Sequence, residues 1–267
     1  VEQLNMDKLK DNLQIDKSEV LENYICGQCN RPVTKTRITY KNGKTSTKET
    51  GCVCRHIKEA AEVKKMKDIK KYHTSSIMPK DYEEKKVNGY QANTDSQKQA
   101  KELTVSFIMN AEAVIEAGQG ILYKGTFGTG KTHLALAIRN YLADNNYKVL
   151  FVTLPDYLER IKEGYNGAKD SRALQMSYNI QTLARTADLL ILDDVGANNM
   201  TKWATEQLFL LVNARKGKST IYTTNLNTDD FIGDRDLHRI YSRMLESNRE
   251  IEIYGQDKRK NMNDFKF

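Results

Sequence analysis

Residues 125 to 132 read GTFGTGKT, and this stretch constrains the chain more than any other. Gly125, four residues, Gly130, Lys131 and Thr132 make the G-x-x-x-x-G-K-[ST] spacing of a loop that cradles phosphates. An apolar run, GILY, precedes the loop and a helix-forming run, HLALAI, follows it. In that strand-loop-helix context the backbone N–H groups of Thr126, Phe127, Gly128, Thr129 and Gly130 are expected to point inward at phosphate oxygens. The helix N-terminus adds its partial positive charge, and the glycines permit the close approach. Lys131 then reaches the β- and γ-phosphates while the Thr132 hydroxyl meets a magnesium ion, so the pattern implies ATP with magnesium.

Such a loop needs a carboxylate for the metal at the end of a neighbouring strand. The run LLILDD, residues 189 to 194, offers it: four apolar residues of a buried strand, then two acids where the strand emerges. Asp193 is expected in the magnesium shell, and Asp194 where a residue must polarise the attacking water. This fits hydrolysis, in which positioning and charge neutralisation dominate. A further run, TIYTT, leads into Asn225 at the strand edge where open α/β sheets bind ligands. Asn225 is expected to orient the water or sense the γ-phosphate.

The β-like runs GILYKG, YKVLFVTL, ADLLILDD, STIYTTN and REIEIYG alternate with helical stretches. That alternation predicts an α/β fold, a parallel sheet with helices on both faces. Helices are expected over 55–71, closed off before Pro79, and over 97–117. Apolar runs stay short and 29% of residues are charged, so neither a transmembrane span nor a signal-peptide core is visible and a cytoplasmic protein is expected.

Two segments emerge, 1–75 and 76–267. The formal charge of +7 falls entirely in the first 80 residues, with 17 Lys/Arg against 10 Asp/Glu, and the other 187 residues are neutral. Such an excess favours an acidic partner or nucleic acid, although a solvated lysine-rich helix explains KEAAEVKKMKDIKK equally well. All four cysteines also fall in the first segment, as Cys26-x-x-Cys29 and Cys52-x-Cys54. Between the pairs, RITYKNGKTSTKE reads as a hairpin around Asn42 and Gly43 that brings them together. Four thiolates suit a closed tetrahedral zinc site, and so small a segment has little core without one. His56 is a weaker substitute for Cys54. A redox pair is the rival reading, but no βαβ pattern surrounds it.

The runs GTFGTGKTHLALAI, LLILDDVGA, TKWATEQLFLLVNAR and TTNL together resemble the AAA+ ATPase domain of the DnaC/DnaI-type bacterial helicase loaders and their phage counterparts, over about residues 76 to 260. Transposition helper ATPases of the IstB type share much of the pattern. The resemblance implies an AAA+ P-loop ATPase domain with Walker A and B motifs, a sensor asparagine and an arginine supplied to a neighbouring subunit's ATP, hence a homo-oligomer. Only 42 residues follow Asn225, which agrees with loaders that lack a full helical lid. DLHRIYSRMLESNRE stands where the family has its arginine-bearing helix, which nominates Arg243, then Arg239, as the finger in trans. YGQDKRK stands where the family has its second sensor, which nominates Arg259. A zinc-bearing N-terminal module again resembles the loaders and implies a hexameric replicative helicase as its partner.

An extra helical stretch over 155–186 carries Lys162, Tyr165, Lys169, Arg172, Tyr178 and Arg185. In initiator and loader ATPases this position faces single-stranded DNA, and basic side chains interleaved with aromatics suit its phosphates and bases. A sheet-covering helix pair predicts the same apolar residues. The expected function is therefore ATP-dependent loading of a helicase on single-stranded DNA. The alternatives are an ATPase that regulates a transposase and an ATP-binding adaptor with negligible turnover.

Overall fold

The structure, a computed structural model, describes residues 14–166, 171–196 and 200–258. The chain divides into two compact units at Lys65/Met66.

The first unit is an antiparallel meander. Strand β1 (Ile15–Ile25) pairs with β2 (Pro32–Tyr40), which pairs with β3 (Thr45–Thr50). The β2–β3 turn is the expected one: Gly43 adopts φ +79° and Asn42 Oδ1 accepts from the Lys44 N–H at 3.0 Å. Strand β1 carried no recognisable signal, because ten of its eleven residues are exposed and no apolar alternation marks a buried face. Helix α1 (Cys54–Ser75) begins in this unit and runs on into the second. Only Ile69 and Tyr72 of it are buried, both in the second unit.

The second unit is an α/β layer structure. After two short 3-10 turns (Lys80–Glu84 and Val87–Gly89) come α2 (Asp95–Met109), α3 (Ala111–Glu116), β4 (Gly120–Gly125) and α4 (Lys131–Asp144). Strand β5 (Val149–Thr153), α5 (Leu154–Asn166), α6 (Ser171–Thr186), β6 (Leu189–Val195) and α7 (Lys202–Ala214) follow. The described chain closes with β7 (Thr220–Thr224), α8 (Thr228–Ile232), α9 (Arg235–Leu245) and β8 (Asn248–Ile253). The single helix expected over 97–117 is two, broken at Asn110, whose side chain bonds back to the Ser106 carbonyl at 2.8 Å. Its start is fixed by a capping box between Thr94 and Gln97.

The five-stranded sheet has the order β5-β6-β7-β4-β8, every pairing parallel. Alternate residues serve opposite cores: Leu122, Leu150, Leu190, Leu192 and Tyr222 face one cluster, and Ile121, Tyr123, Phe151, Ile191 and Ile221 the other. A strand buried on both faces reads as a continuous apolar run, which is why β4, β5 and β6 were legible. The strand order places β4, β6 and β7 side by side, so the phosphate loop, the two aspartates and Asn225 leave the sheet at one edge. No helix among the described residues is long and apolar enough to cross a membrane.

Candidate nucleotide site and cysteine cluster

The loop between β4 and α4 is built around glycines that no other residue replaces. Gly128 has φ +70°, and a Cβ there would collide with the Asp257 side chain; Gly130, the N-cap of α4, has φ +91° and lies against the Tyr90 ring. The Tyr90 hydroxyl donates to the Thr129 carbonyl at 2.9 Å, and Thr129 Oγ1 donates to the Thr126 carbonyl at 2.9 Å. The loop is therefore braced from below, while Phe127 stands exposed at its tip.

Lys131 is buried, and its Nζ donates to the carbonyls of Gly125 and Thr126 at 2.8 and 2.7 Å and to Asn225 Oδ1 at 2.6 Å. Thr132 Oγ1 donates to both oxygens of Asp193 at 2.9 and 3.2 Å, and Thr223 Oγ1 donates to Asp193 Oδ1 at 2.5 Å. Asp193 is 3% exposed, and burial pushes its carboxyl up to about 6 in spite of the Thr223 and Thr132 hydrogen bonds and the nearby Lys131 charge.

Asp194 takes another direction. The β6–β7 register shifts between Leu192 and Val195, and Asp194 adopts φ +55°, its N–H donating to Thr223 Oγ1 at 3.0 Å. A bulge beside a cleft re-aims a side chain, and a non-glycine left-handed residue is strain of the kind functional sites retain. Asp194 consequently lines a cleft of 320 Å³ together with Lys131, Thr132 and Asn225. That volume suits a small ligand. Tyr82, His133 and Leu136 form another part of the lining, and Lys258 reaches it from the chain after β8.

The structure thus brings Gly125 to Thr132, Asp193, Asp194 and Asn225 together at one sheet edge. Arg239 and Arg243 lie elsewhere, on α9, outside the cleft lining. Arg259 and Lys169 lie outside the described residues. Sequence reading missed Thr223, Tyr90 and Lys258. Thr223 was accessible in principle, since it points opposite to the core residue Tyr222 on a strand ending at the site. Tyr90 had no local signal.

In the first unit, Cys26 and Cys29 follow β1, Cys52 follows β3 and Cys54 opens α1. Their four sulfurs lie within 4.8 Å of one another, with Cys52 Sγ 3.3 Å from Cys26 and 3.4 Å from Cys29. Zinc–sulfur bonds of about 2.3 Å in a tetrahedron place sulfurs about 3.8 Å apart, so the cluster has the dimensions of a zinc site. Backbone N–H groups of Gln28 and Cys29 hold the Cys26 thiol down to about 6, which favours the thiolate a metal needs. Hydrogen bonds with the neighbouring thiols Cys52 and Cys29 instead push the Cys54 thiol up to about 12. His56 stands outside this group, its Nδ1 3.6 Å from Glu59.

In the second unit, α5 and α6 bury Tyr157, Ile161, Ile180 and Leu183 against the sheet, while Tyr165 and Tyr178 stand about two-thirds exposed. Lys162, Arg172 and Arg185 are exposed on the same helices.

A family model described as IstB-like ATP binding protein matches residues 41–264. The replicative helicase loader DnaI of Bacillus subtilis is 30% identical over 116 residues, 42% of this chain and 35% of that protein. The IS21 insertion-sequence ATP-binding protein of Pseudomonas aeruginosa is 29% identical over 153 residues, 55% of each chain. The chain therefore spans between a third and about half of the length of these curated relatives. A crystal structure of the DnaC helicase loader superposes with a TM-score of 0.54 at 27% identity, covering 66% of this chain and 100% of that one.

Proposed function

Because the chain belongs to the IstB-like ATP binding protein family, we propose that it is an ATP-hydrolysing loader that grips a hexameric replicative helicase and assists its placement on single-stranded DNA. The AAA+ fold and the helicase-loader relatives support this reading. The observation that carries it is the convergence of four cysteines in a separate unit ahead of the ATPase core. An N-terminal zinc-bearing module resembles the helicase loaders and weighs against the transposition-helper reading. The IS21 relative, at nearly the same identity over a longer stretch, favours the second reading, a transposition helper on duplex DNA.

The side chains at the sheet edge support a hydrolytic role. The loop N–H groups and Lys131 bind the phosphates, and Lys131 leaves the Asn225 amide to do so. Thr132 and Asp193 would hold magnesium, which would supply charge neutralisation at the phosphates. Asp194, turned into the cleft by the bulge, accepts hydrogen bonds from the attacking water and polarises it. Asn225 orients that water, and Arg243, with Arg239 beside it, answers the developing charge on a neighbour's nucleotide. Arg259 remains our nominee for a second sensor. The exposed tyrosines and cations of α5 and α6 meet the DNA strand.

The test is retention of purified hexameric replicative helicase by the full-length chain, after nuclease treatment and across a salt series. Phosphate-mediated bridging weakens steeply with salt and apolar contacts persist. Retention that survives both, and is lost in Cys29→Ser, supports the loader. Retention of a transposase with none of helicase favours the second reading.

A further inference from the structure

Arg239 and Arg243 lie one turn apart on α9, and both guanidinium groups stand over a single ring, that of Phe209 on α7. The Cζ atom is 4.8 Å from the ring centroid for Arg239 and 5.2 Å for Arg243. The remainder of α9 explains why they meet there. Ile240, Tyr241 and Met244 are buried, the Tyr241 ring stacks on Phe231 at 4.6 Å, and the Tyr241 hydroxyl bonds Glu250 at 2.9 Å. With the helix fixed on that face, positions 239 and 243 fall on the flank next to α7.

Little else restrains the two side chains. Arg239 has a 4.0 Å approach to Asp236, and among the described residues Arg243 has no ion pair. Phe209 is half-buried against the core and does not line the nucleotide cleft, so nothing in its own subunit's ATP site requires an aromatic ring there.

We infer that Phe209 is a positioning residue that presents the arginines of α9 to the nucleotide of the neighbouring subunit, and so governs hydrolysis one subunit away from itself. This rests on the reading that α9 supplies the arginine in trans. A free arginine loses rotamer freedom when it docks on a phosphate. A ring that already holds the guanidinium by cation–π attraction removes part of that loss. A carboxylate partner would hold it too, but would cancel the charge that the transition state needs.

The experiment measures ATP hydrolysis by full-length protein on single-stranded DNA. Phe209→Leu fills the same space without a π face, and Phe209→Tyr keeps the face. Phe209→Leu should hydrolyse roughly two- to fivefold more slowly, with ATP affinity and unfolding midpoint unchanged, and Phe209→Tyr should match the wild type. Mixing decides where the residue acts. In an assembly of Phe209→Leu with Lys131→Ala chains, one kind of interface joins an intact phosphate loop to arginines on an intact Phe209, and the rate per such interface should recover. Arg243→Ala mixed with Lys131→Ala is the control. Recovery in both mixtures supports the inference. Recovery in the control alone, or a wild-type rate for Phe209→Leu, overturns it. Recovery in neither overturns the trans arginine itself, and the role of Phe209 with it.

Discussion

Lys131 Nζ donates to Asn225 Oδ1 at 2.6 Å, so the lysine of the phosphate loop and the asparagine that follows β7 hold each other inside one cleft. A triphosphate competes with this neutral acceptor for the ammonium, and a charge-assisted bond to phosphate is the stronger one. Asn225→Asp replaces the neutral acceptor with an anion that both retains Lys131 and repels the γ-phosphate. ATP affinity should then fall by about tenfold or more. Asn225→Ala should keep affinity close to wild type and slow hydrolysis. Titration with a fluorescent ATP analogue distinguishes them, and equal affinities for the two variants would contradict the pairing.

The loop and the bulged strand end are expected to have separable tasks. Lys131→Ala removes charged hydrogen bonds to phosphate and should weaken ATP binding by roughly ten- to a hundredfold. Asp194→Asn should leave binding intact and slow turnover by roughly a hundredfold or more. Isothermal titration beside single-turnover hydrolysis reads both effects. An Asp194→Asn protein that turns over normally would take Asp194 out of the chemistry.

The buried Asp193 gives the site a pH dependence of known sign. Its carboxyl is raised from 3.8 to about 6 by burial, so the fold favours the protonated form. That contribution to stability is present below pH 3.8 and is lost as the pH rises through about 6. Magnesium takes only the carboxylate and must displace a proton below that range. The gain in ATP affinity given by magnesium should therefore be flat at neutral pH and fall by up to about tenfold per pH unit below the carboxyl's pKa. Asp193→Asn should lose this component and keep only the titration of ATP itself, so parallel pH profiles for the two proteins would count against the assignment.

The cysteine cluster predicts about one zinc per chain by metal analysis. Coordination contributes to the folding free energy of a unit whose strand β1 is almost wholly exposed. Cys29→Ser should unfold residues 14–65 and spare ATP binding. Hydrogen exchange resolves the two units, and full protection of β2 and β3 in that variant would show that they fold without the metal.

Legibility followed burial. Strands covered on both faces stand out as apolar runs, and the positions of the loop, Asp193, Asp194 and Asn225 follow from where those runs end. Strand β1 was silent, since its exposed residues carry no periodic signal. The bulge that separates the directions of Asp193 and Asp194 depends on pairing with β7, a long-range fact that LLILDD does not contain. Tyr90 and Phe209 meet their partners 30 or more residues away, Tyr90 at Thr129 and Phe209 at Arg239, and nothing local in the sequence names them. The end of the first segment was expected at 75, whereas the contacts divide the chain at 65, within a continuous helix that no sequence signal interrupts.

Under the proposed function, ATP binding at the sheet edge is coupled to delivery of a helicase. The most direct test of that coupling is the amount of hexameric replicative helicase that becomes stably associated with circular single-stranded DNA when the full-length chain is added with ATP and magnesium. The wild-type chain should raise this amount, Lys131→Ala should not, and Cys29→Ser should bind ATP but fail to deliver. Helicase association that is unchanged by the chain, while the same preparation binds ATP and hydrolyses it, would contradict that coupling.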